Sequence, residues 1–195
     1  MTGDVTVQGT ANPVLTIEPG VTVKFSPYQG LNVGWDSPGG LQAVGTVGNP
    51  ITFTSSAASP TRGSWRHIYF SNKALPTSRL AFATVSWAGY ANPTTCIYVV
   101  SSSPTIDHVT VSQSSGTAIE VTGAGASPTI SNTTLANNAG TGLYLKSGAT
   151  AMLSGLTATD NGGYVLAQEP GITIASASGL VATGNAINGI AVWGG

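Results

Sequence analysis

Charge is what this sequence has least of. Six Lys and Arg and seven Asp and Glu in 195 residues make a charged fraction of 7%, against about a quarter in an ordinary soluble domain. The net charge is −1. That excludes the basic footprint nucleic acid requires and the basic clusters that hold a protein on an anionic membrane. Neither partner is expected. Cysteine is almost absent: the lone Cys96 forbids an intrachain disulfide. A buried, inert thiol is its default, because no His and Asn partners for a nucleophile are recognisable. The two histidines form no cluster at metal-ligand spacing, so neither metal nor cofactor is expected. No apolar run is long enough to span a bilayer. Met1-Thr2-Gly3-Asp4 runs straight into Val5-Thr6-Val7, and no signal peptide is expected in this stretch. Scarce charge does not mean disorder here, since 41% of residues are hydrophobic and regularly patterned.

The pattern is a repeat. Ser103-Pro104-Thr105-Ile106 recurs as Ser127-Pro128-Thr129-Ile130, and Ala118-Ile119-Glu120-Val121 recurs as Gly142-Leu143-Tyr144-Leu145. The offset is 24 in both cases (104 to 128, 119 to 143). A fixed period of this size marks a stacked array. Inside each unit the apolar residues alternate, as in Val109-Thr110-Val111 and Ile119-Glu120-Val121, which is the period of strands with one buried face. Three short strands per unit make one turn of a three-sided parallel β-solenoid.

Two corners support this. One column reads His108, Asn132, Gly155, Gly179, residues that tolerate a left-handed backbone. The other reads Ser114, Asn138, Asn161, Asn185, and its stacked Asn side chains are expected to form an amide ladder along the axis. The whole chain, 1–195, reads as one domain of about seven coils, with Ile190–Trp193 opening an eighth. No amphipathic segment precedes Val5 and Gly194-Gly195 is not a cap, so the chain is expected to be part of a longer, multi-module protein.

Leu15-Thr-Ile-Glu-Pro-Gly-Val-Thr-Val-Lys-Phe25, Leu41-Gln-Ala-Val-Gly-Thr46, Asn49-Pro-Ile-Thr-Phe-Thr54 and Gly63-Ser-Trp-Arg-His-Ile-Tyr-Phe70 resemble a repeat module of secreted bacterial surface proteins. These belong to the right-handed parallel β-helix group, related in fold to pectate lyases. The resemblance covers essentially the whole chain. It implies a right-handed all-β helix, a secreted or cell-surface location, and neighbouring modules of the same polypeptide as partners. It does not fix an activity, because the group includes lyases, hydrolases, epimerases, adhesins and stalks.

The residues offer little catalytic chemistry. Glycoside hydrolysis needs two facing carboxylates, yet Glu120 is the only acid at an outward position of its strand column. Asp107-His108 is not read as a dyad: adjacent corner residues should point apart, and Ser131-Asn132 takes their place one coil on. Arg62, Arg66 and His67 sit near the long loop. They could hold an anionic sugar or phosphate, but a solvated loop explains them as well. No catalytic residue is assigned.

Aromatics say more. The outward residues of one strand column are Asn32, Tyr69, Tyr98, Glu120 and Tyr144, with Trp65 and Trp87 expected to flank them through nearby loops. Aromatic faces with a polar handle suit sugar rings. In related β-helix enzymes this column floors the substrate groove, as the resemblance implies. Stacked tyrosines also serve simply as cross-strand pairs. The expected function is a non-catalytic structural or binding module contacting polysaccharide or cell-envelope glycan on this tyrosine face. The alternative is a polysaccharide lyase or glycoside hydrolase using the same face. A third reading is an ice-binding solenoid, from an outward column of Thr110, Thr134 and Thr157 with Ser86 before them.

Overall fold

The computed structural model describes residues 3–169, 172–187 and 189–192. Trp193 and Gly194-Gly195, which enter the sequence reading of the last coil, lie outside them. Among the described residues every regular element is a strand, and neighbouring coils pair in parallel. One sheet takes a single strand from each coil: Val5–Val7, Leu31–Val33, Ile68–Phe70, Thr95–Val100, Thr117–Thr122, Leu143–Lys146, Leu166–Gln168 and Ile190–Val192. The solenoid therefore has about eight turns rather than seven. The run from Ile190 is a full rung that pairs residue for residue with Leu166–Gln168.

The other two flanks form a second sheet folded at a corner. In the middle coils its strands are continuous, Arg79–Ser86 and Thr105–Ser112. The next coil splits them into Thr129–Ser131 and Thr134–Ala136. The bend falls on Phe82, His108, Asn132, Gly155 and Gly179, all at φ between 46° and 63°. The sequence identifies four of these five. A left-handed residue reverses the strand's lean and lets a short chain turn the corner.

At the next corner the left-handed residues are Trp87, Gln113, Asn137, Asp160 and Gly184. The ladder residues follow them by one position. Asn138 Nδ2 donates to Asn161 Oδ1 at 2.9 Å, and Asn161 Nδ2 to Asn185 Oδ1 at 2.8 Å. Each Oδ1 also accepts a backbone N–H from the coil before, from Ser114, Asn138 and Asn161 respectively. Each Nδ2 also reaches a carbonyl, of Val111, Leu135 or Ala158. The ladder is buried and fully bonded, as buried amides must be.

Inward positions stack in files along the axis. Leu31, Ile68, Ile97, Ile119, Leu143 and Leu166 follow one another in register, each at most 2% exposed. Burying each is worth about 1.5–3 kcal/mol. Because the inward residues of this sheet are fixed by packing, the residues between them must point outward. That requirement positions the candidate site.

Candidate functional site

The outward file runs Asn32, Tyr69, Tyr98, Glu120, Tyr144, in strict register. It divides into two environments.

The first is a cavity of about 330 Å³ over the second, third and fourth coils. Asn32, Tyr69 and Tyr98 floor it, and Trp35, Arg66, His67 and the loop 91–93 wall it. The Tyr69 and Tyr98 rings stack on each other at 5.3 Å and 22°. Their shared faces are thus spent on one another, as cross-strand pairing requires, and they present edges and hydroxyls outward. Burial raises both phenol pKa values; the Tyr98 ring adds to the rise at Tyr69, and the Glu120 charge to the rise at Tyr98. Both are neutral donors at ordinary pH. Trp35 meets Tyr69 edge-on, at 5.4 Å and 73°, and is 50% exposed. Its turn is held at Asp36, whose N–H donates to Gln8 Oε1 at 2.7 Å and whose carbonyl accepts from the Lys73 ammonium. Trp35 thus supplies the open aromatic face that the stacked tyrosines do not. Beside the cavity Tyr28 and Tyr90 pack at 4.4 Å.

His67 lies beneath this wall, 7% exposed. Its ring packs near Tyr69 at 5.9 Å and Tyr98 at 6.1 Å. Burial, assisted by the Arg66 charge and opposed by Asp4, lowers its pKa to about 4. The imidazole is therefore neutral at neutral pH. Arg66 pairs with Asp4 at 3.4 Å.

The second environment is ionic. The Glu120 carboxylate, almost sealed, meets Lys146 Nζ at 2.5 Å, and that ammonium lies 5.6 Å from the Tyr144 ring centre. Burial alone would lower the Lys146 pKa; the hydrogen bond and charge of Glu120 outweigh it and hold the pKa up. The Tyr144 hydroxyl donates to Glu169 Oε1 at 3.3 Å, and Glu169 Oε2 accepts the Ser147 N–H at 2.8 Å. Glu120 is thus neither isolated nor free.

Of the six expected site residues, Tyr69 and Tyr98 come together in the cavity. Glu120 and Tyr144 continue the same file in the ionic cluster. Trp65 is a correction: it is 0% exposed, stacked flat on Phe25 at 4.3 Å and 8°, with its indole N–H donated to the Ser86 carbonyl at 2.8 Å. It is core, and cannot touch a ligand. Trp87 turns the ladder corner at φ 67° and packs against the core, away from the cavity wall.

Asp107 and His108 also depart from expectation. They do not point apart: His108 Nδ1 lies 3.0 Å from Asp107 Oδ1, and its ring lies flat on Phe82 at 4.5 Å. Asp107 further accepts from Ser131 Oγ at 2.6 Å and Asn132 Nδ2 at 3.0 Å. Burial would raise its pKa, but these hydrogen bonds and the His108 charge lower it overall. Its bonds tie one coil to the next. Arg62 is likewise pinned, donating to the Asn137 carbonyl at 2.9 Å and Gln113 Oε1 at 3.3 Å. Cys96 is buried, and burial pushes its thiol up to about 12. No group of His, Cys, Asp and Glu among the described residues could hold a metal ion.

The hydroxyl column differs from its sequence reading. Thr110 pairs with Thr84, not Ser86, and the file runs Thr22, Thr52, Thr84, Thr110, Thr134, Thr157 before Val181. Two residues on, a parallel file holds Ser86, Ser112, Ala136, Thr159 and Thr183.

The architecture defines a parallel β-solenoid with an aromatic cavity on its outer face. Residues 84–194 match the family described as the right handed beta helix region. The match covers more than half of the sequence, and the chain belongs to that family. Neither the curated proteins nor the solved structures gave a significant match.

Proposed function

We propose that this chain is a non-catalytic, rigid module of a secreted or cell-surface protein that holds polysaccharide at the Trp35–Tyr98 cavity. One observation carries the reading: a half-exposed indole set edge-on to a tyrosine pair, over a cavity whose other lining is Asn32, Arg66, His67 and the loop 91–93. An apolar ring face with a few convergent polar groups is what a sugar ring requires. The volume, near the lower limit for ligand pockets, suits a short stretch of glycan. The likeness to modules of secreted bacterial proteins supports a place outside the cell, beside further modules of the same polypeptide. A glycan array tests this with the wild-type chain and the variants Trp35→Ala and Tyr98→Ala. Binding to a subset of glycans, lost in both variants while their melting temperatures stay close to wild type, is expected. An array without hits, or hits indifferent to both substitutions, overturns it.

The paired hydroxyl files favour a second reading, an ice-binding face. Rungs about 4.8 Å apart with two hydroxyl positions each form a regular lattice, broken at Ala136 and Val181. Ice grown with the protein would then be faceted, and Thr134→Tyr would restore ordinary growth. Unfaceted growth with the wild type rejects it.

A further inference from the structure

Two Asn-Gly pairs occur in the sequence, Asn161-Gly162 and Asn188-Gly189. In such a pair the asparagine side chain is open to attack by the next backbone nitrogen, because glycine has no Cβ to obstruct the approach. The first pair falls on the Asn ladder. The neighbouring ladder residues are followed by alanine instead, Asn138 by Ala139 and Asn185 by Ala186. Gly162 differs for a steric reason: a Cβ there would lie 2.2 Å from the Ala139 carbonyl oxygen. The close approach of two coils thus places a chemically labile pair where one side chain holds a buried corner.

The fold engages both reacting groups. The Gly162 N–H, which carries the nucleophile, donates to the Asn138 carbonyl at 2.9 Å. The Asn161 side chain, the electrophile, is 1% exposed. Its Oδ1 accepts the Asn138 N–H at 3.1 Å and the Asn138 amide at 2.9 Å. Its Nδ2 donates to the Leu135 carbonyl and to Asn185 Oδ1, both at 2.8 Å. Attack requires these bonds to break, and water reaches the site only when they do. The reaction therefore needs a local opening of this coil.

We propose that Asn161 is a deamidation site held latent by the ladder, and that its reaction makes a reversible opening of this coil permanent. In the opened coil the Gly162 nitrogen attacks Asn161 Cγ. The N–Cγ bond forms, the Cγ–Nδ2 bond breaks, and the Gly162 amide proton leaves with Nδ2 as ammonia. Water then opens the cyclic imide at either carbonyl, leaving aspartate or isoaspartate at position 161. Either product ends the ladder. An aspartate sets a carboxylate oxygen, in place of the Nδ2 donor, against the Leu135 carbonyl and Asn185 Oδ1, a buried charge among acceptors. An isoaspartate lengthens the backbone and shifts the register. Chemical change faster than reclosure is one way an opened chain is lost for good. The inference is independent of the sugar cavity.

Peptide mapping by mass spectrometry tests it on the full chain, incubated at one pH and temperature in native buffer and in denaturant. In denaturant Asn161 and Asn188 should convert at similar rates. In native buffer Asn161 should convert at least about hundredfold more slowly, since only the open fraction reacts. Urea below the unfolding midpoint should speed that conversion in step with hydrogen exchange of the Gly162 amide. Asn188→Gln removes the other pair, so damage in that variant belongs to Asn161. Converted in denaturant and returned to native buffer, it should melt below its untreated form. Asn161→Asp, which installs one product directly, should melt lower than wild type or fail to fold. Equal rates in native buffer and denaturant overturn the proposal, as does an Asn161 that stays intact in denaturant while Asn188 converts. Full recovery of the melting temperature after conversion, or a wild-type melting temperature in Asn161→Asp, overturns the permanent opening.

Discussion

Asn138 and Asn161 are joined by two bonds to one atom: Asn161 Oδ1 accepts both the backbone N–H of Asn138, at 3.1 Å, and its side-chain amide, at 2.9 Å. The two residues lie 23 positions apart in sequence and one coil apart in space. A solenoid whose coils touch only their neighbours needs something to hold each corner in register, and here a single side chain does so from inside the core.

Removing that side chain should be expensive. Asn161→Ala leaves the Asn138 N–H without its acceptor and takes one bond each from the Asn138 amide and the Leu135 carbonyl in a buried corner. Each buried group left unsatisfied costs about 1–3 kcal/mol. A loss of about 3 kcal/mol in chemical denaturation is expected. An unchanged midpoint would contradict the ladder's role.

His67 should make stability depend on acid. Its folded pKa of about 4 lies below the unfolded value of 6.5, so the unfolded chain binds more protons between those values. Stability from this group is complete above about pH 6.5 and is lost as pH falls toward 4, by about 3 kcal/mol. Asp107, with a lowered pKa, loses its contribution only as the carboxylate itself protonates, at more acid pH. His67→Gln should flatten the slope between pH 6.5 and 4. A slope unchanged in that variant would show that His67 is not held neutral.

Glu120 should not catalyse cleavage. Its carboxylate is tied to the Lys146 ammonium and almost sealed, so it has no reach to a glycosidic bond. Incubation with pectin, alginate or other polysaccharides should release no new reducing ends or unsaturated products. Release that disappears in Glu120→Gln would reverse this assignment.

The fold was legible because solenoid packing repeats a rule. The inward file from Leu31 to Leu166, the left-handed corner from His108 to Gly179 and the Asn ladder all follow from period and alternation. The same rule placed Tyr69, Tyr98, Glu120 and Tyr144 in one file. It failed where the period changes. Thr84 lies 26 residues before Thr110, not 24, so a constant offset put Ser86 in its column. It also failed in loops, whose geometry no repeat dictates. Trp65 looked like a rim residue after Gly63, yet Phe25, forty positions earlier, takes its ring into the core. Trp35 and Glu169 escaped notice because each enters its site from a turn, and Lys146 because it pairs with a carboxylate one coil back. The aromatic spacing in the sequence gave the floor of the cavity, while its walls come from chain segments without periodic signal.

The central claim is that the outer cavity is a sugar site. Heteronuclear NMR during titration with the best glycan from the array measures it directly. The indole N–H of Trp35 and the ring signals of Tyr69 and Tyr98 should shift together and saturably. Signals of the buried Trp65 and of the threonine file should stay in place. Shifts confined to the threonine file, or a bound glycan that leaves Trp35 unmoved, would contradict the account.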